Sequence, residues 1–467
     1  MFVKIKQFSL ISSFLIFCFV GTAGAATYYV SASSSNTNWS SCTNSGTPCT
    51  PRAAMSNAQA GDVVNFLAGT YNLPCNTNYY EDNSLQPAHS GTSVNPIVFQ
   101  ANPGDTVTLV GAAGHGVSCD DGGVIGVNGA YGKSYITIKG LIIDVSGYPS
   151  SNVRGGMQIR NTVDHITIQD IEIKGFTSSV SDNHPGIYCN GTSYVTIQNC
   201  KIHGFHTPFT GEAILQYSSD HLLVQNCELY DNGEGVTDKQ QASHNTYRYN
   251  YIHGNSVNGI EIMTQGGNSD GIDVYQNIFT GTGINLDSSI DHSLKMQNVH
   301  VYNNVFYNAG DINFFQTNNL AEAWNNIVYR SGSRMMHCDL YGPSYCNGIS
   351  YSDYNDFYSS DNSGQTFVQN GSTYNLTTWR ASVGHDLSSI TGNPLFVNPS
   401  GDVTGFKLQN GSAALSAGMD RGDYNNNGNT SEKINMGAYI TGNETIGTYI
   451  TGSGNKVPAA PMLQSLN

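Results

Sequence analysis

The stretch Gly-Glu-Gly-Val-Thr-Asp-Lys, residues 233–239, gathers Glu234, Asp238 and Lys239 in a chain of which only 11% is charged. Glu212 precedes Glu234 by 22 residues, and Tyr217 precedes Lys239 by the same distance. A neutral amine can take a proton, a phenol can return one, and paired carboxylates can hold a divalent cation. None of this works unless the fold brings positions 22 residues apart onto one face.

A repeat supplies the means. The segments ITIKGLIIDV (136–145), ITIQDIEIKGF (166–176), VTIQNCKIHGF (195–205), LLVQNCELYDN (222–232), TYRYNYIHGN (246–255), IDVYQNIFTG (272–281), VHVYNNVFYN (299–308) and AEAWNNIVYR (321–330) align as short alternating strands around a polar corner. One column reads Cys200, Cys227, Asn250, Asn277, Asn304, Asn326, Asn355, at spacings of 27, 23, 27, 27, 22 and 29. Each unit has an earlier strand opening on a small residue, as in GMQIR, GIYCN, AILQY, GVTDK, GIEIM and GINLD. Such a period without helical segments predicts a coil of a parallel β-helix, stacking at about 4.8 Å with like residues in ladders. Asparagines at an inward corner then bond the next coil, which is a structural role.

AAMSNAQAGDVVNFLAGTYN (53–72) reads as a short helix followed by a strand, and is expected to cap the first coil. The period fades after Tyr358. The chain is expected to comprise an export signal (1–25), the β-helix with its N-terminal cap (26–392), an irregular C-terminal cap (393–445) and a flexible tail (446–467). The fold class is all-β.

The first residues join Lys4 and Lys6 to an apolar run ending in Ala23-Gly24-Ala25, which reads as a secretory signal rather than a membrane span. A secreted protein, extracellular or periplasmic and monomeric, is expected. Its loss takes the net charge from −15 to −17. So acidic a chain is a poor partner for nucleic acid. Nine cysteines remain, an odd number. Cys42/Cys49 and Cys338/Cys346 are the natural loop disulfides, and a leftover thiol should be buried. No CxxC or His/Cys cluster has zinc spacing.

In ladder register, the early strands put Arg160, Asn190, Tyr217, Lys239, Met263 and Asp287 in one outward column. The residue before each small one gives Glu212, Glu234 and Asn258. Two carboxylates one coil apart repel unless a cation lies between them, and calcium tolerates irregular oxygen sites. Gln216 and Asp238 fall on inward positions, so either the strand bulges or two polar groups are buried side by side.

At these residues the chain resembles the β-helical polysaccharide lyases, most closely the alginate lyase and chondroitinase B family. In EGVTDK followed by NTYRYNYIHGN, the resemblance implies Glu234 as a calcium-binding Glu and Lys239 as the base. A second acidic ligand of the family falls on Asn232. The family's catalytic arginine falls around Met263-Thr264 and is absent. The resemblance implies a right-handed helix, an acidic polysaccharide as substrate, and β-elimination. A metal would neutralise the uronate carboxylate, a neutral lysine would remove the neighbouring proton, and a third group would protonate the leaving oxygen. Tyr217 is the first candidate for that donor and Arg248 the second. Arg160, Tyr188, Asn190, Asn258 and Glu261 are candidates for binding sugar.

Two other readings stay open: a hydrolase using a carboxylate pair such as Glu234 and Glu261, and a non-catalytic carbohydrate-binding β-helix. DYNNNG (423–428) begins like a calcium loop, but its twelfth position is Ile434 and a polar turn is expected. GHGVSCDDG (114–122) carries residue types known from polygalacturonases but in the wrong order. QTNNLAEA (316–323) and CDLYGPSYC (338–346) are expected to be specificity loops.

Overall fold

In a computed structural model, the described residues are 25–447 apart from 74–83, 112–122, 129–132, 148–154, 177–182, 207–210, 288–293, 310–311, 315–320, 333, 339–348 and 426. The signal segment, Cys75, Cys119, Cys346, GHGVSCDDG and most of both specificity loops lie outside them.

The repeat folds as expected, into a right-handed parallel β-helix with three long sheets. The first has 12 strands, from Thr27–Val30 to Tyr351–Asp353. The second has 11, from Gly69–Leu73 to Asp356–Ser359. The third has 11: ten parallel strands from Ile125–Asn128 to Thr366–Gln369, and a last antiparallel one, Ser372–Asn375. One coil runs Ile187–Asn190 (third sheet), Ser193–Gln198 (first), Lys201–His203 (second), then returns at Glu212–Tyr217.

Two features of the sequence enforce this path. Inward positions are mostly β-branched or aromatic and stack on their own kind, as in Ile143, Ile173, Ile202, Leu229, Ile252, Phe279, Phe306, Val328 and Phe357, all buried. Between the first and second sheets each coil turns through one left-handed residue: Asp170, Asn199, Asn226, Tyr249, Gln276, Asn303 and Asn325 have φ between 51° and 58°. Asp and Asn adopt this conformation at low cost. The next residue is the asparagine ladder. Asn250, Asn277, Asn304 and Asn326 each accept from the backbone N–H and Nδ2 of the coil before or bond the coil after, at 3.0–3.1 Å.

At the start, helix α1 (Pro51–Asn57) has Thr50 as its N-cap and buries Ala53, Ala54 and Met55. The Cys42–Cys49 disulfide forms beside it. Cys189, Cys200 and Cys227 are free and buried, and burial pushes the Cys189 thiol up to about 12.

The far end departs from the expectation. A second helix, α2 (Leu376–Val383), closes it, with an Asn375/Thr378 capping box and Gly384 in the left-handed region. Its Trp379 stacks on Phe367 at 5.1 Å and donates Nε1–H to Asp386 (2.9 Å). No helix was expected here; Asn375, Thr378 and Gly384 are the residues that cap it. The segment expected as the cap instead runs back along the flank. Phe396, Phe406, Met436, Tyr439 and Ile446 pack on Ile278, Val305 and Ile327. Its backbone meets Asn325, Gln276 and Tyr249 in turn.

Candidate functional site

The third sheet carries the expected column in the expected register: Arg160, Asn190, Tyr217, Lys239, Met263 and Asp287 pair in succession. Glu212 pairs with Glu234 one strand-length earlier. The small residues make a corner there. A Cβ on Gly235 would meet Ile252 of the core and the Gly259 carbonyl, so this position faces inward and its neighbour Glu234 faces out. Glu234 accepts a hydrogen bond from Thr237 Oγ1, itself on the outward face, and lies 3.5 Å from Asn258 Nδ2.

The carboxylate end of this outward face is buried. Glu212 is 0% exposed and Glu234 1%, and Leu215 and Thr237 beside them are equally buried. Two carboxylates on adjacent rungs away from water need a positive partner to stay ionised together. Among the described residues the partners of Glu234 are a hydroxyl and an amide, neither charged. The carboxylates of Glu212 and Glu234 offer only oxygen, which suits calcium, while Asn258 turns Nδ2 toward Glu234.

Lys239 Nζ stands 5.9 Å from the centroid of the Tyr217 ring, and Tyr217 Oη accepts from Asn183 Nδ2 at 3.0 Å. Tyr217 packs edge-on against Tyr188 (5.7 Å). Tyr188 in turn lies 5.4 Å from the Arg160 guanidinium, and its Oη accepts from Asn190 Nδ2 at 2.8 Å. A polar cleft of about 270 Å³ opens here, lined by Asn183, Tyr188, Asn190, Leu215, Tyr217 and Gln240. In the column, Arg160 and Lys239 flank the two cleft-lining residues Asn190 and Tyr217, one on each side. Glu261 pairs with Thr237 on the next rung and accepts from Asn285 Nδ2 at 2.9 Å.

Beneath Lys239 the chain buries Asp238 beside Gln216, so the two polar groups do lie side by side. Asp238 accepts from Tyr247 Oη (2.5 Å) and Asn245 Nδ2 (3.0 Å). Burial raises its carboxyl from 3.8 to about 7, and these two hydrogen bonds only partly oppose that.

Two expected residues do not join the site. Asn232 is a corner residue: its Oδ1 accepts from Phe205 N (3.1 Å) and its Nδ2 donates to Ile202 O (3.2 Å), so its amide is committed to backbone. Arg248 belongs to the first sheet, where Nε donates to Gln225 and Nη1 to Tyr275, on a different face from Lys239. Three residues of the cleft and its floor were missed. Asn183 and Gln240 come from turns flanking the repeat strands, and Thr237 looked like an ordinary strand residue.

Residues 123–306 and 185–375 match, as two overlapping copies, the family described as right handed beta helix region, and together they span more than half of the chain. The chain belongs to this family. No protein with a curated description matches this β-helix protein in sequence. Among solved structures, pectate lyase Pel9A superposes with a TM-score of 0.58 at 16% identity, covering 90% of this chain and 97% of that one. An alginate lyase from Paenibacillus sp. str. FPU-7 gives 0.41 at 17%, covering 74% and 98%. A GH136 lacto-N-biosidase from Eubacterium ramulus gives 0.44 at 12%, covering 74% and 65%. At such identities the likeness is one of fold.

Proposed function

We propose that this β-helix protein is an exported polysaccharide lyase that cleaves a uronic-acid polymer by β-elimination at the third-sheet cleft. The observation that carries the reading is the register: Lys239 beside Tyr217, with the Glu212/Glu234 pair five positions earlier on the same outward face. Arg160 and Lys239 place positive charge on either side of the cleft in an otherwise acidic protein, which favours a carboxylated sugar.

In this mechanism Lys239, as the neutral amine, takes the proton from the carbon next to the uronate carboxylate. The electron pair left behind forms the new double bond as the bond to the leaving oxygen breaks. Tyr217 delivers a proton to that oxygen, and Asn183 orients its hydroxyl. Calcium held by Glu212 and Glu234 would neutralise the uronate carboxylate and so acidify the neighbouring proton.

A second reading rests on Glu261, one rung from the Thr237 that bonds Glu234: the two acids could act as the pair of a glycoside hydrolase. Incubation with alginate, polygalacturonate and chondroitin decides between them. Ultraviolet-absorbing unsaturated ends are expected. New reducing ends without unsaturation would favour the hydrolase, and neither product would leave a binding protein.

A further inference from the structure

The first sheet carries a second constellation, on a different face from the cleft. Where the third sheet turns into the first, successive coils place Tyr135, His165, Tyr194, His221 and His244 at one left-handed corner, with φ between 50° and 56°. Their rings stack at 4.5, 4.9, 4.6 and 4.8 Å. His221 and His244 are 23 residues apart, one coil. Asp220 lies between them: one carboxylate oxygen is 2.8 Å from His221 Nδ1 and the other 3.2 Å from His244 Nδ1. Ser243 Oγ is also 2.8 Å from His244 Nδ1.

We propose that Asp220, His221 and His244 form a binding site for a divalent transition ion, with zinc as the natural occupant. The three ligand atoms all lie within 4.8 Å of one another. A tetrahedral zinc with bonds of about 2.0–2.1 Å needs ligand atoms roughly 3.3 Å apart; each imidazole already has one oxygen of Asp220 at close to that distance, Oδ2 for His221 and Oδ1 for His244. The two imidazoles stack nearly parallel, 19° between planes, so one ring must turn for both Nδ1 atoms to face one ion. His244 is the ring able to do so. It is 56% exposed on its side chain, and the next residue in its column is Gly271, where a Cβ would come within 3.1 Å of the His244 ring.

The backbone holds the ligands in place. Asp220 bridges to Ser193 and Ser243 on the neighbouring coils, and the amides of Asp220, His221 and His244 donate to Thr192, Ser243 and Asp270 at 2.9 Å. Histidine's tolerance of the left-handed corner explains a histidine at one rung. It does not explain a carboxylate placed to serve two of them. Both imidazoles line a groove of about 750 Å³, so water or a groove-bound group can complete the coordination. To ligate through Nδ1, each neutral imidazole must hold its proton on Nε2. Two imidazoles and one carboxylate suit zinc, whereas calcium requires six to eight oxygens.

The test is calorimetric titration of the full-length exported protein with Zn²⁺ in excess Ca²⁺. One zinc per chain is expected, with affinity falling at least tenfold in His244→Ala and in Asp220→Asn, and unchanged in Glu234→Gln. Diethylpyrocarbonate labelling of the wild type, mapped by mass spectrometry, provides a readout that needs no variant: zinc should protect His221 and His244 but not His89. Absence of zinc binding, equal affinity in His244→Ala, or labelling of both histidines unaffected by zinc would overturn the site. The third-sheet reading stands or falls separately, on its products and on Ca²⁺.

Discussion

Lys239 and Tyr217 are register partners on adjacent strands, and the ammonium sits over the phenol ring with 5.9 Å between Nζ and the ring centroid. A base and an acid one rung apart can address two positions of one sugar, because the rung spacing of about 4.8 Å is close to the size of a pyranose.

Lys239→Ala should lower turnover by about 10²- to 10⁴-fold, with the thermal midpoint nearly unchanged, since the side chain is only partly buried. Lys239→Arg should not restore activity, because a guanidinium stays protonated at any working pH. Steady-state kinetics on the best polymer of the panel checks both. Near-normal turnover in Lys239→Ala would remove it as the base.

Tyr217→Phe keeps the ring under Lys239 and its contact with Tyr188 but deletes the hydroxyl bonded by Asn183. Turnover should fall by about 10²-fold or more with KM little changed. A raised KM at full turnover would make Tyr217 a sugar-binding residue instead.

Calcium should stabilise the fold by linkage, about 2.7 kcal/mol at a hundredfold excess over its dissociation constant. Glu234→Gln should abolish both this rise in thermal midpoint and the recovery of activity after chelation. A wild-type enzyme fully active in excess chelator would exclude the metal from the reaction.

Asp238 makes stability fall as pH rises. Its folded carboxyl titrates at about 7 while the unfolded one titrates near 3.8. Below pH 4 both states hold the proton and nothing is lost. Between about 4 and about 7 the unfolded chain releases its proton first, so unfolding becomes easier by about 1.4 kcal/mol per pH unit, about 4 kcal/mol in all. Above about 7 the loss is complete. Asp238→Asn keeps the partners Tyr247 and Asn245 and removes this slope. Urea midpoints of both proteins across this range measure the difference. Asp356, whose carboxyl burial raises to about 8, should leave a similar slope in the variant.

The sequence alone determined the coil and most of the site. A parallel stack is nearly one-dimensional, so residues one period apart must meet, and counting places Glu212 on Glu234 and Tyr217 on Lys239. Alternation along the strand put Gln216 and Asp238 on inward positions but left a bulge open, and the structure decided for two polar groups buried side by side. Tertiary structure decided what the period does not carry. Arg248 and Lys239 are nine residues apart in sequence, yet a corner turns them onto different sheets. The amide of Asn232 was spoken for by backbone that only the closed corner brings near. Residues 396–446 have no repeat to place them, and their apolar side chains settled on the flank at Ile278, Val305 and Ile327, while α2 and Trp379 covered the end. Whether Asp220 would meet one histidine or two depended on the left-handed corners stacking with their rings parallel, a consequence of coil geometry that no single stretch of the chain contains.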